Sequence, residues 1–304
     1  MPGVVEASPS RVRLGDLTTL KVGGPAELWL VESDADLAAA TLEPYRVLGA
    51  GSNLLVADAG VPERVVRLGR SFATLEAMNG APDVWLGAAT PLPGLVRRAQ
   101  RVGLSGLEGL LGVPAVVGGA VAMNAGTRFG QLSDTLREVE VFVDGAREVL
   151  PADAIGLGYR RSALPPGAIV TRVRLALTPS TPERVQHAMD AVDAARAGQP
   201  KVKSAGCAFK NPAGDSAGRL IDAAGLKGLR VGDAMIAHEH ANFIINLGAA
   251  SAADVVALIE AVREHVAVPL ELEWRRWGFP GGERAFPGTA PEAGGAGADR
   301  RPAR

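Results

Sequence analysis

Cysteine is almost missing from this 304-residue chain. With Cys207 alone, no internal disulfide can form and no cysteine cluster can hold a metal, so a reduced compartment is expected. Aromatic residues are scarce at 4%, too few for base-stacking platforms. Positive charge is not in surplus: Lys+Arg number 32 against Asp+Glu 33, a net charge of −1, which argues against sequence-independent contact with nucleic acid. No apolar run approaches the roughly 18 residues needed to cross a bilayer. The opening MPGVVEASPSRVRLGD also lacks the basic-then-apolar order of a signal peptide. These absences predict a cytoplasmic protein with no nucleic-acid or membrane partner and no evident obligate protein partner. Lysine is rare too. Only five of the 32 basic residues are Lys, and four fall between Lys201 and Lys227. Either an arginine-favouring composition left a handful, or PKVKSAGCAFKNP carries ammonium donors for an anionic ligand.

What is present is ordinary globular material, 47% hydrophobic and 21% charged, with Gly and Pro making up about a fifth of the chain. AELWLVES reads as a strand, with Ser33 and Asp36 resembling a capping box for the next helix. YRVLGAGSNLLVAD reads as strand, glycine-rich turn and second strand. Short strand-like runs then alternate with glycine-dense loops, and LPGLVRRAQRVG forms a helix with Leu92, Leu95, Val96 and Ala99 on one face. Thr181 and Pro182 suit a helix start, followed by Val185, Met189 and Val192 at helical spacing. Later, GRLIDAAG reads as a helix, ANFIINLG as a strand, and Ser251 with Asp254 opens a helix burying Val255, Leu258, Ile259, Val262 and Val266. The fold class is therefore α+β. The expected organisation is a first region over residues 1–180, in two subdomains split near 60–70. A compact domain follows over 181–279, then a disordered tail over 280–304.

GAGSN fails as a dinucleotide fingerprint, because Leu54 stands at the third glycine position and the following NLLVAD reads as strand rather than helix. It is either a backbone nest for a pyrophosphate or a plain hairpin turn. GLEGLLGVPAVVGGAVAMNAGTRFG would let the backbone approach a large planar or diphosphate ligand closely, or would pack as a tight sheet corner. Within it, the Asn124 amide either reads a ligand or closes an Asx-turn. His238 and His240 form an H-x-H, but with no third ligand and no cysteine partner a metal site is not expected.

Read in order, TTLKVGGPA, GAGSN, GVPAVVGGAVAMNAG, GYRRS, QPKVKSAGCAFKNP, HANFIIN and LELEWR resemble the motif series of the UDP-N-acetylenolpyruvoylglucosamine reductases, from about Leu17 to Gly278. Three departures stand out. Ala115 replaces a usual glycine, Trp274 a usual valine, and Cys207 the serine that donates a proton in the family. With no long insertion between Ser162 and Gln199, and tyrosine only at Tyr45 and Tyr159, the chain resembles the shorter subclass without a tyrosine-bearing lid.

The resemblance implies a vanillyl-alcohol-oxidase (PCMH) type FAD-binding domain over 1–180 and a substrate-binding domain over 181–279. It also implies NADPH as hydride donor and a UDP-sugar substrate of peptidoglycan precursor synthesis. FAD would be bound non-covalently, since neither glycine-rich loop holds a His or Cys. Its implied contacts are Gly49, Gly51, Ser52, Asn53 and Leu54 in one loop, and Gly118, Gly119, Asn124, Ala125 and Gly126 in the other. Arg160 would meet the substrate carboxylate, Glu273 its enolic oxygens, and Cys207 would give the proton to carbon. Lys201, Lys203, Lys210, Asn211 and His240 are the implied substrate contacts. From the residues alone, Arg161 competes with Arg160 and Glu271 with Glu273, the two glutamates sharing a strand face. Cys207 itself could be a small buried hydrophobe or, if exposed and partly ionised, a target for alkylation.

Overall fold

The alternation in AELWLV folds as the strand Pro25–Val31, which turns Ala26, Leu28 and Val31 inward. In the computed structural model, which describes residues 9–288, this strand pairs antiparallel with Ser10–Arg13 and parallel with Arg64–Leu68. Tyr45–Val47 completes that four-stranded sheet at its far edge. The helix Asp34–Ala40 is capped as expected, Ser33 Oγ accepting the Asp36 amide at 3.2 Å. Arg64–Leu68 belongs to this first unit, and the chain enters the second through the turn Arg70–Phe72.

The second unit is an antiparallel sheet ordered Ala146–Pro151, Leu136–Val143, Ile169–Ala176, Asp83–Gly87. Its inward residues Val139, Val141, Val173 and Leu175 pack with Leu92, Leu95, Val96 and Ala99 of the helix Leu92–Arg101. The third unit is an antiparallel sheet of Ser204–Cys207, Phe243–Asn246, Ala234–Ile236 and Arg230–Val231, covered by the helix Ala252–His265. Ser251 and Asp254 close a reciprocal capping box there, and Val255, Leu258, Ile259 and Val262 are buried, with Val266 at the cap.

Three expectations need correction. The helix Pro182–Arg196 begins where its signals place it, Thr181 Oγ1 accepting the Arg184 amide at 3.3 Å, yet Val185 and Met189 join the core of the second unit. The break at 180 therefore moves beyond this helix: a cap and a proline mark a helix start, not a domain border. VGGAVA, expected as loop, is the short helix Val117–Ala122. Finally, the tail expected from residue 280 is packed at least to Phe286, which pairs through its backbone with Tyr45. Residues 289–304 lie outside the described residues.

The chain also returns on itself. Arg275–Trp277 pairs in parallel with Leu54–Val56, and Trp277 is buried in the core of the first unit. Residue 273 is thereby brought to the end of the GAGSN loop.

Candidate active site

A cavity of about 1030 Å³ opens where the three units meet. Gly49, Gly51, Ser52, Asn53 and Leu54 line one side, and Gly118, Gly119, Ala125 and Gly126 another. The strand Leu54–Val56 follows GAGSN directly, so the loop joins two strands rather than opening a helix.

Two observations fit these loops to a dinucleotide. A Cβ on Gly49 would lie 3.3 Å from Val116 Cγ2 and 3.7 Å from the Gly119 Cα, so the loops present bare backbone to each other and to the cavity. Gly51 has φ +66° and its Cβ would meet the Leu17 carbonyl at 2.3 Å, which only glycine tolerates. In addition, the amides of residues 49–53 find no acceptor among the described residues, leaving a run of donors suited to a diphosphate. Asn124 departs from its expected role. It is buried outside the cavity lining, at φ +39°, and its amide donates to Gly158 O and Gln131 Oε1 while accepting from the Ser133 N–H.

That tether positions Arg160. Gly158 and Arg161 exchange backbone hydrogen bonds across a tight turn, and Arg160 sits inside it at φ +55°. A bulky residue in the left-handed region costs on the order of 1–3 kcal/mol, a strain that concentrates at functional sites. The turn points Arg160 into the cavity and leaves Arg161 exposed. Arg160 Nε meets Glu273 Oε1 at 3.0 Å.

Glu273 and Cys207 are brought together by backbone. Phe209 bridges Leu272, the Glu273 amide donates to the Ala208 carbonyl at 2.7 Å, and the Lys210 amide donates to the Glu271 carbonyl. Glu273 is largely buried at 14% side-chain exposure, whereas Glu271, at 73%, reaches out to Lys210 at 2.6 Å. Burial raises the Glu273 pKa above the usual carboxylate range, against the opposing pull of Arg160 and Lys210. Cys207 is half-buried beside Phe243, its sheet partner. Burial and the neighbouring Glu273 charge push its thiol up to about 12. It is a protonated thiol, not an ionised one.

Of the implied substrate contacts, Asn211 and His240 line the cavity. Asn211 Oδ1 also accepts the Ala217 amide, and His240 Nδ1 accepts the Asn242 amide at 3.2 Å, with burial lowering the imidazole pKa. Lys201 and Lys203 are exposed away from the lining, and Lys210 is engaged with Glu271 outside it. The cations on the cavity wall are instead arginines. Arg67 and Arg128 stand there without an acidic partner among the described residues. No local motif distinguishes them in an arginine-rich chain.

Asn242 was missed as well: buried, it accepts from the Phe209 N–H at 2.9 Å and donates to the Phe209 carbonyl at 2.8 Å, clamping the segment that carries Cys207. HANFIIN was its only signal, and its partner lies 33 residues away. Among the described residues no group of three or more His, Cys, Asp and Glu side chains could hold a metal, and no helix is long and apolar enough to cross a membrane.

Comparison with known proteins adds a family to this geometry. The C-terminal domain pattern of UDP-N-acetylenolpyruvoylglucosamine reductase matches residues 199–277, and an FAD binding domain pattern matches residues 31–149. The reductase of that name from Thermus thermophilus is 62% identical over 267 residues, 88% of this chain and 98% of the relative. Its counterpart from Deinococcus radiodurans is 55% identical over 280 residues, covering 89% and 96%. A crystal structure of the enzyme from Thermus caldophilus superposes with a TM-score of 0.85 at 62% identity, covering 89% of this chain and 99% of that one.

Proposed function

Because this chain belongs to the UDP-N-acetylenolpyruvoylglucosamine reductase family, we propose that Arg160, Glu273 and Cys207 are the groups that stabilise and protonate its reacting substrate. The chain is an FAD-dependent oxidoreductase of peptidoglycan precursor synthesis that uses NADPH to reduce the enolpyruvyl group of its UDP-sugar to give UDP-N-acetylmuramate. Bound FAD supplies the hydride relay between NADPH and the substrate double bond. The bare backbone of Gly49, Gly51 and Gly119, with the free amides around Ser52 and Asn53, would hold it.

The remaining chemistry falls to side chains. Hydride arriving at the terminal methylene carbon leaves negative charge spread over the adjacent carbon and the carboxylate. The planar Arg160 guanidinium receives the carboxylate oxygens as a two-pronged donor. Glu273, whose pKa burial raises, would take up a proton shared with the enolic oxygen and keep that charge from building up. Cys207 then gives its thiol proton to the carbon that bears the ether oxygen, forming the second C–H bond. Solvent reprotonates the thiolate. One hydride and one proton have been added across the double bond. Asn211 and His240 orient the rest of the substrate, Arg67 and Arg128 offer charge to diphosphates, and the protein works in the cytoplasm.

The observation that carries this reading is the ion pair at 3.0 Å between Arg160 and Glu273 on the wall that also holds Cys207. The test uses Arg160→Ala and Glu273→Gln in stopped flow. Flavin reduction by NADPH should stay near the parent rate in both, while reoxidation by the enolpyruvyl substrate slows by at least about two orders of magnitude. Reoxidation at the parent rate in either variant would remove that residue from the mechanism.

A further inference from the structure

The C-terminal domain pattern ends at residue 277, yet the chain beyond it comes back to the cavity, where Glu283, Arg284 and Phe286 form part of the wall. This return is anchored at two points. The Glu283 amide donates to the Arg276 carbonyl at 2.9 Å, and its carboxylate accepts from Trp277 Nε1 at 3.0 Å and pairs with Arg275. The Glu283 carbonyl accepts from Arg46 at 2.7 Å, and Arg46 is itself buried and fixed by a two-pronged pair with Glu63. Three residues on, Phe286 and Tyr45 exchange backbone hydrogen bonds of 2.8 and 3.0 Å, and their rings meet at 5.5 Å between centroids.

Tyr45 begins the edge strand Tyr45–Val47, which runs into the loop carrying Gly49 and Gly51. The returning segment therefore covers an otherwise unpaired edge and borders the loop expected to hold the cofactor. Arg284, between the anchors, lines the cavity and has no acidic partner among the described residues.

We propose that residues 283–286 are a strap that walls the FAD site and retains the cofactor, with Glu283 as anchor and Arg284 and Phe286 as cofactor-contacting residues. The inference rests on the FAD reading above. Because these residues supply part of the cavity wall, removing them should quicken FAD loss more than it disturbs the cores.

The experiment compares the full chain, a chain ended after Phe279, and the double variant Arg284→Ala/Phe286→Ala. Each is freed of flavin and titrated with FAD while protein and flavin fluorescence are followed. Melting of each flavin-free protein is recorded separately. The Kd for FAD should rise about tenfold or more in the shortened chain and at least about threefold in the double variant, which keeps the Glu283 anchor. The double variant should melt close to the parent when flavin-free. If either folded variant binds FAD within twofold of the full chain, the strap does not contact the cofactor and the inference is overturned. A full chain that binds no FAD would contradict the FAD reading instead.

Discussion

At neutral pH a thiol pushed up to about 12 is almost wholly protonated, which suits Cys207 to giving a proton and unsuits it to attack. Alkylation by iodoacetamide at pH 7.5 should therefore run about two to three orders of magnitude slower than for a free thiol with a pKa near about 8.5. Labelling should quicken about tenfold per pH unit above 7.5 and level off only near the thiol's own pKa of about 12. Rapid labelling at pH 7.5 would show an ionised thiol and contradict this environment. The exposure and partial ionisation open to a lone cysteine in the sequence are set by Phe243 and Glu273, which tertiary contacts alone bring beside it. Glu273 carries a second pH signature. Its raised pKa means the protonated form persists above the usual carboxylate range, and activity that needs that proton falls as pH rises through the folded value. Since Arg160 pulls this pKa down, the residual reoxidation of Arg160→Ala should lose activity at higher pH than the parent. An alkaline limb that stays put or moves lower would contradict the assignment.

At the scale of elements, local periodicity and caps were readable: Thr181, Ser251 and the apolar stripe of Leu92–Arg101 behave as their spacing predicts. The helix Val117–Ala122 was not, because two adjacent glycines suppress every helical signal and its stability comes from burial of Val117, Ala120 and Val121. The asparagines were equally opaque. Asn124 holds the turn that strains Arg160 into the cavity, and Asn242 holds Phe209, both through partners distant in sequence. Asn242→Ala would leave the buried N–H and C=O of Phe209 unpaired, at about 1–3 kcal/mol each. Urea unfolding should register a loss of about 2–5 kcal/mol in Asn242→Ala. The folded fraction should reoxidise with substrate more slowly while still being reduced by NADPH. Unchanged stability would mean that the clamp bears no load.

For the whole molecule, the site is a junction. The first unit contributes the GAGSN loop, the second Arg160 and the Val117–Ala122 helix, and the third Cys207 and Glu273, with Arg275–Trp277 carrying the third unit back onto the first. Ordered motifs made that assembly legible as a family. They could not place the domain border, since the helix Pro182–Arg196 is assigned by what it packs against, nor the strap, since FPGGERAFPG has the composition of a tail while Glu283 and Phe286 supply its contacts. A ligand that touches all three units should stabilise them together. FAD at 100 times its Kd adds about 2.7 kcal/mol to the native state, and it should shift one cooperative melting transition upward. A second transition that FAD leaves in place would mean that one unit stands outside the site.

The central claim is that the proton added to carbon comes from Cys207, and the most direct measurement of it is single-turnover reoxidation of the NADPH-reduced flavin by the enolpyruvyl substrate. Cys207→Ala should be reduced by NADPH at the parent rate and reoxidise about two to four orders of magnitude more slowly, the loss expected for a positioned general acid. Cys207→Ser, with a hydroxyl of similar size at the same position, should regain most of that rate. If reduced Cys207→Ala reoxidises with substrate as fast as the parent, the proton comes from elsewhere and the role assigned to Cys207 is wrong.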